Sequence, residues 1–151
     1  MATWVTKRRI KVNRAATAWL IRRFIDPNAR ILFVEPQEVA DVQQRDGAKG
    51  FDAPGATYPH QDARGRCSFE ALVDEHCAQD PALVALARVV RGADFSEQIG
   101  LTPESAGLRA ISEGFPLVAR NDDETVERAA FLYDALYASL SERLAGERAP
   151  R

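Results

Sequence analysis

The chain has 151 residues, 46% of them apolar and 28% charged, with a net charge of -2 at pH 7. That balance fits one globular domain built on one core and excludes a disordered chain. The slight negative charge argues against bulk attraction to nucleic acid or anionic lipid, and no apolar stretch approaches the roughly 20 residues that a bilayer span requires.

In chain order, Trp4 to Thr6 predicts a short strand. It is followed by a basic run (Lys7, Arg8, Arg9, Lys11, Arg14) that reads either as a solvated edge or as a docking edge. Asn13 is placed to cap a helix over Arg14 to Ile25, which ends at Asp26-Pro27 because the residue before proline is pushed out of the helical region. Arg30 to Val34 is the clearest strand, and its continuous apolar run predicts a central position covered on both faces. Pro36 opens a helix to about Arg45; Gly47 to Pro59 reads as loop, with two short strands around Phe51 and Tyr58.

From Cys67 onward the pattern is helical. One helix covers Ser68 to Cys77. Asp80-Pro81 and Thr102-Pro103 each supply a cap and a first-turn proline, for helices through Val90 and to about Glu113. Asn121 with Glu124 resembles a capping box for a long final helix with Ala130, Leu132, Leu136, Tyr137 and Leu140 inward, fraying after Leu144. The expected architecture is a single α+β domain over 1–151, predominantly helical, with a small sheet from the N-terminal half packed by five or six helices. Residues 145–151 form its tail.

Several chemistries have no carrier in the sequence: there is no glycine-rich phosphate loop, no His-Glu-x-x-His, no Cys-x-x-Cys and no Gly-x-Ser-x-Gly. The start lacks the apolar core of a signal peptide, and two cysteines ten residues apart make no disulfide framework, so a cytoplasmic protein with two free thiols is expected. What remains is His60-x6-Cys67-x2-Glu70. Cys67 stands at a helix entry that favours thiolate, and thiolate, imidazole and carboxylate together suit a divalent ion. Asp52, Asp62 and Asp94 are further carboxylates able to complete the shell. The plainer alternatives are a buried small cysteine, a helix-favoured glutamate and a turn histidine.

Trp4-Val-Thr-Lys-Arg-Arg and Val12-Asn-Arg-Ala-Ala-Thr-Ala-Trp19-Leu-Ile-Arg-Arg-Phe-Ile-Asp26 carry a resemblance. It continues through Phe51-Asp52, His60, Cys67-Ser-Phe-Glu70, Asp80-Pro-Ala-Leu83, Val90-Arg-Gly-Ala-Asp94 and Tyr133-Asp-Ala-Leu-Tyr137. These residues resemble the C-terminal domain of the chromate-resistance ChrB family, in order and over nearly the whole chain. The resemblance implies a place in chromate resistance beside an efflux transporter. The family's further N-terminal region, implicated in regulation, lies outside the match, so no DNA-binding role carries over. Asn13 stands where the family usually has Asp, which keeps a cap and removes a charge. Thr17-Ala18 replaces a common small residue or cysteine followed by proline. The positions of His60, Cys67, Glu70 and Asp94 match.

Three functions follow as expectations. The first is a stress-response metal-binding protein in which His60, Cys67, Glu70 and Asp94 hold zinc, iron or copper, for redox, hydrolytic or sensing use. The second is a metal-free oxyanion site for chromate or a sulfate-like ion, using Arg14, Arg22 and Arg23 near a helix N-terminus; spacing favours Arg14, since Arg22 lies two turns away. The third is an interaction module that docks a second copy or a regulatory protein.

Overall fold

The computed structural model describes residues 2–148. Three parallel strands, β1 (Thr3–Lys7), β2 (Arg30–Val34) and β3 (Lys49–Gly50), lie in the order β2-β1-β3. Parallel neighbours need crossovers. The first is α1 (Val12–Leu20), which loosens into a π turn at Ile21–Ile25 and stops at Asp26. The second is a 3-10 turn at Pro36–Glu38 leading into α2 (Val39–Asp46). A parallel bridge, Phe51 to Tyr58, extends the pairing beyond β3.

Alternation along β1 sorts its side chains between two cores. Trp4 joins the large core shared with α1, and Val5 packs with Val39 and Val42 of α2. The strand expected at the centre, Arg30 to Val34, is therefore an edge, and β1 is central. The apolar run of β2 reports that both faces meet side chains, not where it sits in the order; Leu32, Phe33 and Val34 stay half-buried while Trp4, Val5 and Thr6 are enclosed.

The second half is helical: α3 (Ser68–His76), α4 (Pro81–Asp94), α5 (Ser105–Glu113), α6 (Phe115–Val118) and α7 (Asp122–Arg148). The fold is predominantly helical α+β. Helix α4 packs against α1, α3, α5 and α7, and it starts as expected, with Asp80 accepting from the amides of Ala82 and Leu83 at 3.0 and 3.2 Å. The Thr102-Pro103 device yields a turn, and α5 opens at Ser105, whose hydroxyl donates to the Val89 carbonyl at 3.0 Å. On α7 the buried stripe is Val126, Ala129, Tyr133 and Leu140; Ala130, Leu132, Leu136 and Tyr137 flank it half-buried. Helix α7 is described through Arg148, and residues 149–151 of the expected tail lie outside the described residues. No helix among the described residues is long and apolar enough to cross a membrane.

Asn13 does not cap its own helix. α1 begins two residues earlier than expected, at Val12 after Lys11 and without a side-chain cap, and the fully buried Asn13 reaches across to α3 instead. Its Oδ1 accepts from the Phe69 amide (3.3 Å) and the Thr17 hydroxyl (3.1 Å), and its Nδ2 donates to Ser68 Oγ (2.8 Å). The cap expected for one helix thus serves another, because a buried amide side chain bonds whatever donors the packing brings to it. Asn13→Ala should lower unfolding free energy by about 2–3 kcal/mol, since it strands buried donors of α3 and Thr17. Urea denaturation checks this, and a change below about 0.5 kcal/mol would contradict the cross-helix role.

Candidate functional site

The link from β1 to α1 is pinned from the far end of the chain. Asp122, the first residue of α7, accepts from the amides of Arg9 (3.0 Å) and Ile10 (2.9 Å). The turn includes Arg9 in the left-handed region at φ 61. It points the start of α1 into a cleft of about 220 Å³. Lys7, Lys11, Arg14, His60 and Arg109 line the cleft with the acids Asp52, Asp94 and Glu113. Val12 and Asn13 also line it, so the uncapped first turn of α1, which holds no acidic residue, borders the cleft. A helix end of this kind favours an anion through its free amides and its dipole.

Asp52 ties the cleft together. It is buried, with left-handed backbone at φ 49 that Asp tolerates better than most residues. Its Oδ1 takes the His60 Nδ1 contact at 2.9 Å and its Oδ2 lies 3.7 Å from Arg14 Nη1. His60 Nδ1 is also 3.5 Å from Asp94 Oδ2, but a single ring proton serves the shorter contact. The His60 ring stands edge-on against Phe95 at 5.2 Å between centroids, which fixes the imidazole from its other side.

The bond to Asp52 raises the pKa of His60, against its partial burial. Burial raises Asp94 to about 7, with the charge of Asp52 adding to the effect and His60, Arg14 and Lys7 opposing it. Asp94 is also the last residue of α4, where the helix dipole disfavours a negative charge. Burial lowers the pKa of Arg14, opposed by Asp52, Asp94 and Asp122; arginine stays charged at neutral pH regardless. Four lysine and arginine side chains (Lys7, Lys11, Arg14, Arg109) thus face three carboxylates, one of them partly protonated near neutrality.

Of the four buried polar side-chain atoms without a partner among the described residues, three belong to this cleft: Arg14 Nε, Asp94 Oδ2 and Ser112 Oγ. Ser112 sits beside the Tyr133 hydroxyl, which is turned to the Val12 carbonyl at 3.2 Å. Ser112 is therefore the least clear case of the three, and Arg14 and Asp94 carry the observation. Buried polar atoms are costly to leave unpaired, so their clustering marks a place where something else supplies partners.

Of the candidate metal ligands, His60 and Asp94 meet here, whereas Cys67 and Glu70 are committed to the start of α3. Glu70 Oε1 accepts from the Cys67 amide at 3.1 Å, and the Cys67 thiol accepts from the Glu70 amide, a reciprocal cap. Both Glu70 oxygens also lie 3.0 Å from Arg91 Nη1. Burial pushes the fully enclosed Cys67 thiol well above its usual range, the reverse of the thiolate that its helix-entry position suggests. Among the described residues, no group of three or more His, Cys, Asp or Glu side chains is arranged to hold an ion. Of the three arginines, only Arg14 reaches the cleft. Arg22 donates to the Ala29 carbonyl, and Arg23 pairs with Asp134 at 3.4 Å, both beside a separate groove between α1 and α7.

Sequence reasoning missed Lys7, Lys11, Arg109 and Ser112, and it gave Asp52 only a supporting place. The basic run was the available signal for the two lysines; nothing local connects Arg109 to residues some hundred positions earlier.

Comparison with known proteins gives two findings. The family model described as ChrB, C-terminal domain, matches residues 4–140. Protein ChrB of Cupriavidus metallidurans is 37% identical over 142 residues, which is 91% of this chain and 40% of that protein. The chain therefore spans about 40% of the length of the curated relative it matches. No solved structure matches.

An Asp94 carboxyl whose pKa rises from 3.8 to about 7 on folding holds its proton longer in the folded state. The sign follows: between those values the folded state binds more protons, so stability falls as pH rises, and ionised Asp94 is a net cost above about 7. Asp94→Asn should therefore stabilise the protein at pH 8, by roughly 2–4 kcal/mol, and by much less at about pH 5. Thermal melts across pH test this; equal shifts at both ends would contradict a raised carboxyl.

Proposed function

The chain belongs to the family of the ChrB C-terminal domain, and from that premise we propose that it is the ligand-reading part of a cytoplasmic chromate-resistance protein. In this role it binds a small tetrahedral oxyanion of the chromate kind in the cleft between Arg14 and His60. The observation that carries the reading is the convergence of Lys7, Lys11, Arg14, Arg109 and His60 on one cleft at the uncapped start of a helix. Lys7 and Lys11 make no ion pair among the described residues, so their charge is available to a ligand. Arg14 brings its guanidinium to the cleft wall, and the helix amides add fixed partial charge.

Each residue then has a task. Asp52 holds Arg14 and His60 in place and keeps the second imidazole nitrogen, Nε2, turned away from its own bond. A protonated His60, favoured by its bond to Asp52, adds a fifth cation. The buried surroundings strengthen each contact relative to water. Specificity between anions of one shape falls to the acids that line the same cleft.

Calorimetric titration near pH 6.5, in a Cys77→Ser background so that chromate meets no accessible thiol, tests the reading. Chromate and sulfate are titrated against this protein and its Arg14→Ala variant, with elemental analysis of each preparation. Saturable binding, weakened at least about tenfold by Arg14→Ala, is expected for the loss of a charge-assisted hydrogen bond. Absence of binding, or an affinity indifferent to Arg14, would remove the anion reading. About one zinc, iron or copper ion per chain, with anion binding lost on chelation, would replace it by the metal-centred one.

A further inference from the structure

The cleft contains something that an all-purpose anion site avoids. Asp94 is largely enclosed (11% exposed) at the C-terminal end of α4, beside a second carboxylate, and its Oδ2 has no hydrogen-bond partner among the described residues. Asp52 from the loop before His60, His60 itself, Arg14 of α1 and Lys7 of β1 surround it. Arg109 and Glu113 of α5 face the same cleft, where they bond to each other at 3.1 Å. Lys, Arg and amide groups only donate. A tetrahedral oxyanion without a hydroxyl only accepts. Such a pair needs no carboxylate, and an ionised one repels the ligand.

We infer that the cleft selects oxyanions that carry a hydroxyl, such as hydrogen phosphate, hydrogen arsenate or hydrogen chromate, over fully deprotonated ones such as sulfate, with the Asp94 carboxylate accepting the ligand's O–H. The inference rests on the anion reading of this cleft and adds its substrate class. The cations supply affinity for any small anion, and Asp94 supplies the one acceptor that a hydroxyl-bearing anion satisfies. A ligand without that hydrogen leaves a buried acceptor unpaired against like charge, which is the strongest form of discrimination a polar site offers. The unfavourable placement of Asp94, enclosed, at a helix C-terminus and next to Asp52, has no compensating bond in the folded protein among the described residues, and a donating ligand provides one.

The test is calorimetry at about pH 8.5, where Asp94 is ionised and phosphate and arsenate each keep one hydroxyl while sulfate keeps none. Phosphate, arsenate and sulfate are titrated into the protein and into Asp94→Asn, whose amide can donate where the carboxylate could not. The expected result is a preference of at least about tenfold for phosphate and arsenate over sulfate, with sulfate gaining and phosphate losing affinity in Asp94→Asn until the ratio falls within about threefold. Equal affinities for all three anions, or an Asp94→Asn variant that weakens all of them alike, would overturn the selectivity while leaving an anion site in place. Binding of none of them would overturn the selectivity and the anion reading together.

Discussion

A buried carboxylate is costly unless its charge is met, and Asp52 is met from two directions at once. Arg14 reaches it from the first turn of α1 and His60 from the loop beyond Tyr58, while its own backbone sits in the left-handed region beside the Phe51–Tyr58 bridge. Satisfying one acid therefore fixes the start of a helix, the course of a loop and the orientation of an imidazole. Asp94 then closes the cleft, its Oδ2 without a hydrogen-bond partner among the described residues. The cleft inherits its charge pattern from this arrangement: cations held at known places, one acceptor saturated and one left over.

Much of the remaining polar chemistry in the core serves packing. Asn13, Ser68, Cys67, Glu70 and Arg91 form a connected set whose members satisfy the first turn of α3 and bind it to α1 and α4. A thiol and a carboxylate at a helix entry are equally suited to a metal or to a cap, and burial decides between the two uses. Cys67 is enclosed, its thiol accepts a backbone bond, and its carboxylate neighbour is neutralised by Arg91.

Local signals carried most of the fold. Asp80-Pro81, Asn121 and Asp26-Pro27 set element ends close to where they fall, because capping and the restriction before proline act over three or four residues. The order of the strands was hidden, since an apolar run such as Ile31 to Val34 states burial and not neighbours. The site was half legible. His60, Asp94 and Arg14 stood out by residue type, and two of these touch Asp52. Their grouping depends on contacts between distant parts of the chain, such as Arg14 with Asp52 and His60 with Asp94, which local spacing does not report. Short spacing brought Cys67 and Glu70 together on paper, and the same closeness makes them a cap. Arg22 and Arg23 fall on the α7 side because the helix turns them away from the cleft by two turns and a π distortion.

The central claim is that a small oxyanion sits between Arg14, His60 and Asp94. A crystal soaked in chromate, measured at the chromium absorption edge, locates the ion without reference to affinity. The account predicts one tetrahedral peak in the cleft, within hydrogen-bonding distance of Arg14, bordering the first amides of α1 and Asp94. A peak at Cys67 and Glu70 or in the groove of Arg22 and Arg23, or an empty cleft in a crystal with chromium bound elsewhere, would contradict it.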